Sequence, residues 1–174
     1  MAEFAKGVLK EDLSEVSQTI DLAHYLGSKP TEEQKQAFAD AAIETIKQRT
    51  LDNQDVNNKK FARYSQEYAD RKGVSVDSVD LFLEGDMLDS IARIKSQEKS
   101  GTIKIKVKGK LNTLKAHNHQ TGQTLPKRTW FGLLEKEVES IVSSIKEKTV
   151  DDRNKKTTLA ELREALGLIG LEQE

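Results

Sequence analysis

Thr102-Ile103-Lys104-Ile105-Lys106-Val107-Lys108 alternates apolar and basic side chains at every step. A period of two puts Ile103, Ile105 and Val107 on one face of an extended chain and Lys104, Lys106 and Lys108 on the other. Gly101 and Gly109 bound the run. The pattern predicts a half-exposed antiparallel strand in a chain otherwise rich in helical spacing. The expected fold class is therefore α+β, with a small antiparallel sheet flanked by two N-terminal helices and one C-terminal helix, plus a C-terminal arm.

Towards the N-terminus, Leu9, Leu13, Val16, Ile20 and Ala23 recur at three- and four-residue steps and predict one helix, ended by Gly27 and Pro30. Thr31 opens a second helix with Gln34 completing a capping box, and Glu32 and Glu33 suit the positive end of its dipole. Phe38, Ala42 and Ile46 mark its inner face before a polar loop at Leu51–Asn58, and the two helices should pack together. Phe61, Tyr64 and Tyr68 stand at helical spacing, and Gly73 closes that segment. Val79, Leu81 and Leu83 alternate as in a strand, Glu84-Gly85-Asp86 makes a tight turn, and Met87, Leu88, Ile91 and Ile94 suit either helix or strand.

Beyond the strand, residues 110–120 suit a return strand or a short helix. Leu133, Leu134, Val138, Ile141, Val142 and Ile145 trace a helix from Trp130 to Ile145. Thr149–Thr157 reads as a polar linker. Thr158 and Glu161 form another capping box, and Leu159, Leu162, Leu166 and Ile169 give a narrow apolar stripe. So short a helix is marginal alone in water and should dock on its own domain or a neighbour. The expected organisation is a domain over 1–148 and a linker with an amphipathic helix over 149–174.

Only 36% of the 174 residues are apolar and 5% aromatic, against 33% charged. So thin a core suggests apolar surface completed by neighbouring subunits. A net charge of −1 gives no global field for nucleic acid or anionic lipid. The absence of cysteine removes disulfides, thiolate metal sites and cysteine catalysis. No apolar run approaches the ~20 residues of a membrane span, and the N-terminal stretch lacks an apolar signal core. A cytoplasm, or a particle assembled there, is the expected location.

Several clusters invite a chemical reading. His117 and His119, two apart, would share one side of a strand and could hold a metal, although two ligands do not make a site and turn hydrogen bonding is the plainer use. Glu84, Asp86 and Asp89 could bind a cation or act as acid and base, while Asp86 also suits a turn or helix cap. Asp52–Asn57 is oxygen-rich but lacks the central glycine and closing glutamate of a calcium loop. The lysines at 104, 106 and 108, with Lys110 and Lys115, could meet phosphates or an acidic partner; equally, they protect an exposed strand from edge-to-edge pairing. Of Trp130 and Phe131, one is expected in the core and the other near a subunit contact. Nucleophile elbows, phosphate loops and dinucleotide glycine fingerprints are absent from the sequence, so neither enzyme nor cofactor is expected.

The order of motifs resembles a known family. Phe61-Ala62-Arg63-Tyr64-Ser65-Gln66-Glu67-Tyr68 is followed by Leu83-Glu84-Gly85-Asp86-Met87-Leu88-Asp89-Ser90-Ile91, then the lysine-alternating strand. His119-Gln120-Thr121-Gly122 and Leu125-Pro126-Lys127-Arg128-Thr129-Trp130-Phe131-Gly132-Leu133 complete the series. Over roughly residues 10–148 this resembles the tail-completion and virion-morphogenesis (head–tail joining, neck) proteins of tailed phages. Thr129-Trp130 stands where members often have a single residue before the phenylalanine. The resemblance implies an α+β fold and a non-enzymatic virion subunit forming a ring, hexameric or dodecameric, at the head–tail interface. Implied partners are further copies, the adjacent neck or connector ring and the tail terminator or tube, with DNA at most passing through the lumen. The matching motif residues are Phe61, Tyr64, Tyr68, Gly85, Met87, Leu88, Gly122, Pro126, Arg128 and Phe131. Subunit contact is expected at the Ile103–Lys108 strand, His117, His119, Trp130, Leu159, Leu162 and Leu166, with 109–122 as a second docking element. The rival expectation is a nucleic-acid-binding regulator using residues 102–110; a metal-dependent enzyme centred on the histidines is a third.

Overall fold

The structure, a computed structural model, describes residues 3–81, 86–123 and 125–165. Its sheet has four antiparallel strands in the order β1-β2-β4-β3: β1 Gly7–Glu11, β2 Val16–Asp21, β3 Ile91–Arg93 and β4 Thr102–Val107. The helices are α1 Leu22–Leu26, α2 Glu32–Leu51, α3 Gln66–Lys72, α4 Asp86–Asp89, α5 Lys110–Thr121 and α6 Glu135–Ala165. The α+β class holds.

β4 forms where the alternation placed it, with Ile103, Ile105 and Val107 fully buried. It is not an edge. β2 pairs along one side, Ile20 opposite Ile103, and β3 along the other, Ile91 opposite Val107. Lysines on a strand hydrogen-bonded on both sides cannot serve as edge protection, so that reading of the ladder is corrected.

The first predicted N-terminal helix is instead the β1–β2 hairpin. Asp12 decides this, because its carboxylate accepts from the backbone N–H of Ser14 and Glu15, both at 2.8 Å, and so reverses the chain within the supposed helix. The apolar spacing that imitates a helix is shared between two strands. α2 matches expectation: Thr31 Oγ1 accepts from Gln34 N at 3.1 Å, Gln34 Oε1 accepts from Thr31 N at 2.9 Å, and Phe38, Ala42 and Ile46 are buried. Gly73 closes α3 in the left-handed conformation, but α3 begins only at Gln66, capped by Ser65, so Phe61 and Tyr64 precede it in extended chain. Val79 and Leu81 are buried without forming a strand, while Leu83 and the Glu84-Gly85 part of the expected turn lie outside the described residues. Met87 and Leu88 fall in α4 and Ile91 in β3, so the ambiguous run is helix and then strand.

Two further corrections lie towards the C-terminus. α6 starts at Glu135 rather than Trp130, because buried side chains take up the backbone groups of 130–134. It then runs without interruption through 149–157, the expected linker and the expected domain boundary. Asp151 and Lys155, and Asp152 and Lys156, stand at the acid-before-base i, i+4 spacing that favours a helix. α2 and α6 are antiparallel neighbours: Arg49 at the end of α2 pairs with Glu137 at the start of α6. Among the described residues no helix is long and apolar enough to cross a membrane.

Candidate functional site

The centre of the molecule is the non-helical stretch Arg128–Leu134, a peptide bent at Phe131 and Gly132 and held by side chains from three distant elements. Gln18 of β2 meets Leu133 twice, accepting from its N–H at 2.7 Å and donating to its carbonyl at 3.1 Å. Gln120 of α5 accepts from Trp130 N and Phe131 N, both at 3.0 Å, and donates to Phe131 O at 3.2 Å and to the Glu11 carboxylate. Arg49 of α2 donates to Trp130 O at 2.9 Å and Gly132 O at 2.8 Å, and pairs with Glu137. Backbone bonds from Arg128 N to His119 O and from Val56 N to Thr129 O complete the grip. A buried peptide without a ladder would leave orphan N–H and C=O groups, and these three side chains supply the partners. Trp130 and Phe131 are both fully buried, with ring centroids 5.5 Å apart edge to face. Neither is at the surface, so the expected division between core and subunit contact is corrected.

Two of the family-like motifs meet in space. Arg128, 3% exposed, donates to Ala62 O at 2.9 Å and Arg63 O at 3.0 Å, and its guanidinium lies 5.3 Å from the Tyr64 ring centre. The Tyr64 and Tyr68 ring centroids lie 4.7 Å apart, with the planes tilted by 55°. Burial, then the Asp80 carboxylate, pushes the Tyr64 hydroxyl up to about 12, and Lys72 closes the same pocket by pairing with Asp80. His119 lies 3.4 Å from Arg128, and burial followed by that positive charge holds its imidazole down at about 4. Phe61, Met87 and Leu88 are buried and Gly122 caps α5, whereas Gly85 lies outside the described residues. Pro126 precedes the clamped peptide on an exposed turn.

The expected contact residues fare unevenly. Ile103, Ile105 and Val107 belong to the core, which removes them from any subunit contact. Lys104 is 9% exposed, paired with Glu15 and donating to Gln97 Oε1 at 2.7 Å; Lys106 is half-buried and Lys108 exposed. That pairing, with a hydrogen bond from Ser17, holds the Glu15 carboxyl below the usual range. His117 is buried against Glu11 O at 3.1 Å. Being helical, His117 and His119 point about 200° apart, so the shared face expected of a strand does not exist. Among the described residues no three His, Asp or Glu side chains converge as metal ligands. Asp55 of the oxygen-rich loop accepts from Asn57 N and Lys59 N, and Asp89 pairs with Lys47. Glu84 and Leu166 lie outside the described residues, and Leu159 and Leu162 ride on α6.

Sequence reasoning passed over Gln18, Arg49, Gln120 and the buried ionic group under β3. There Arg93 pairs with Glu98 at 2.8 Å, both 4% exposed, and with Glu32 at 2.8 Å, while Lys35 stands 3.5 Å from Glu98. Burial would raise the Glu98 carboxyl, but hydrogen bonds from Arg93 and Lys104 N, with the nearby positive charges, hold it below its ordinary value. Glu32 is brought down to about 2 by hydrogen bonds from Arg93 and Lys95. A signal was present: each of the three clamp residues is a long polar side chain in an apolar position, such as Gln18 between Val16 and Ile20.

A groove of about 670 Å³ lies between α2 and α6, with Ala37, Ala41, Ile141 and Ile145 inside and Glu33, Lys148, Lys155 and Lys156 around it. Beyond Ile145 no described residue of α6 is buried, and Val150 is 52% exposed. α6 accompanies α2 from the Arg49–Glu137 pair at one end to the groove shared by Thr31, Lys155 and Lys156 at the other, and its backbone continues to Ala165, about 14 Å further. No protein-family profile, curated protein or solved structure matches the chain.

Proposed function

We propose that this protein is a non-enzymatic structural subunit of a phage or prophage virion, forming a ring at the head–tail interface that completes the tail or joins it to the head. The observation that carries the reading is the clamped core, in which the Phe61–Tyr68 and Pro126–Leu133 segments meet, together with a helix whose backbone continues to Ala165, about 14 Å beyond the groove that Lys155 and Lys156 share with the start of α2. A helix end of about nine residues is marginal alone in water without a surface to cover, and a neighbouring subunit offers one. The motif order supports the same reading. The Phe61–Tyr68 and Pro126–Leu133 segments are joined through Arg128, so the resemblance rests on residues that build the core together.

Several of the polar groups that invited chemistry have structural partners: His119 on Arg128, Asp55 in its turn, Asp89 on Lys47 and His117 on Glu11 O through Nδ1, although the buried His117 Nε2 has no protein partner. The nucleic-acid reading asks Lys104 to face phosphate, and Lys104 faces Glu15 instead. The test is electron microscopy of particles assembled without the protein. Filled heads beside free tails are expected, and intact infectious virions would overturn the proposal. In solution, removal of residues 150–174 should abolish concentration-dependent rings while leaving the thermal transition of the body in place.

A further inference from the structure

We infer that the outward face of α5 is a docking surface for an acidic amphipathic helix of another protein. The polarity of α5 is reversed. Its buried side is Thr113, Ala116, His117 and Gln120, while its two leucines, Leu111 and Leu114, face outward at 64% and 42% exposure. A helix that serves only its own core carries its leucines inward. At about 100° per residue, Leu111, Leu114 and Asn118 share one strip of the outer surface, with Lys110 on one side and Lys115 on the other. That is one heptad of a helix-pairing seam: two apolar knobs, an asparagine two turns on, and a charge on each flank.

The charges select the partner. Residues 99–134 contain no aspartate or glutamate, and among the described residues no carboxylate pairs with Lys110 or Lys115. The carboxylates of the β1–β2 hairpin are engaged elsewhere: Glu11 with Gln120, Asp12 with its own turn, and Glu15 with Lys104. Flanking lysines pair with glutamates at the matching positions of a partner helix and reject lysines there. Two α5 helices therefore cannot serve each other. The exposed side of α2 carries Glu33, Asp40 and Glu44, but Lys148, Lys155 and Lys156 of α6 stand in the groove beside it. A second copy thus offers a surface of mixed sign. A nucleic acid would satisfy the lysines and leave both leucines in water.

The test uses the full-length protein and two labelled synthetic peptides of about three heptads, with leucine at the a and d positions. One carries glutamate at e and g and the other lysine, and binding is read by fluorescence anisotropy. The acidic peptide should bind at least about tenfold more tightly than the basic one. Leu111→Ser together with Leu114→Ser should weaken its binding by about tenfold or more. Lys110→Glu together with Lys115→Glu should reverse the preference between the peptides. All four side chains are exposed, so each variant should keep the parent's thermal midpoint. Equal affinity for the two peptides, or acidic binding that survives the leucine variant, overturns the inference. A DNA duplex bound more tightly than the acidic peptide, and released only by the lysine variant, overturns it in favour of nucleic acid. Self-association of the protein alone that the leucine variant abolishes overturns it in favour of a second copy.

Discussion

Replacing Gln120 by leucine keeps the side chain's bulk and removes every polar contact it makes. The Trp130 and Phe131 N–H groups lose their 3.0 Å acceptor, and Phe131 O loses its 3.2 Å donor. All three lie in a fully buried stretch, where water cannot replace the amide. An orphaned buried backbone group costs about 1–3 kcal/mol, so three give roughly 3–6 kcal/mol after partial relaxation. Whole domains are stable by about 5–15 kcal/mol, so the loss is a large fraction of the total. At about 2–4 °C per kcal/mol for a chain of this size, the thermal midpoint should fall by roughly 10–20 °C. The assay is thermal unfolding followed by far-ultraviolet circular dichroism, with urea titration at 25 °C as a second measure. Gln66→Ala is the control. Gln66 is exposed and bonds only Asp70 at 2.7 Å, so its removal should stay within about 0.5 kcal/mol. A Gln120→Leu midpoint within about 3 °C of the parent would refute the view that side-chain amides hold the central peptide.

Gly122→Ala should destabilise by about 1–3 kcal/mol, read as a lower urea midpoint, because the residue sits at φ +76° and a Cβ there would lie 2.8 Å from Lys127 Cβ. Arg93→Leu leaves Glu98 buried beside Lys35 without its principal partner and should cost about 3–5 kcal/mol by the same titration. Acid should weaken the fold through His119. An unfolded imidazole takes its proton near its ordinary 6.5, the folded one only near about 4, so stability is full above 6.5 and falls as pH drops between those values. The loss is about 3 kcal/mol in all, and His119→Leu should show an acid slope smaller by that amount in urea midpoints at pH 7 and pH 4. The depressed carboxyls of Glu15 and Glu98 act in the same direction at lower pH, so the comparison must be variant against parent.

What was legible in the sequence is what local chemistry determines. The capping box at Thr31, the Gly73 stop, the inner face of α2 and the alternation of β4 all depend on neighbours within a few residues. The hairpin was hidden because Leu9 and Val16, on adjacent strands, stand at a spacing a single helix would also give, and Asp12 outweighs that periodicity through two hydrogen bonds. The start of α6 was hidden for a longer-range reason. Trp130, Phe131, Leu133 and Leu134 suit a helix until Gln18, Arg49 and Gln120, remote in sequence, claim their backbone groups. The position of β4 inside the sheet depends on β2 and β3 arriving on either side, and alternation carries no information about that. The charged stretch 149–157 resembled a linker because a polar, charged composition suits the solvent-facing side of a helix as well as a loop.

The bond between Gln18 and Leu133 spans 115 residues. At ribosomal rates of about 5–20 residues per second, β2 waits roughly 6–23 s after synthesis before that partner exists. For most of that interval, until β4 is made, the strand has β1 on one side and nothing on the other, an open template for any passing extended chain. Birth of this protein thus includes an interval of vulnerability, and crowded expression at high temperature should divert it into aggregates before the last third of the polypeptide can rescue the first.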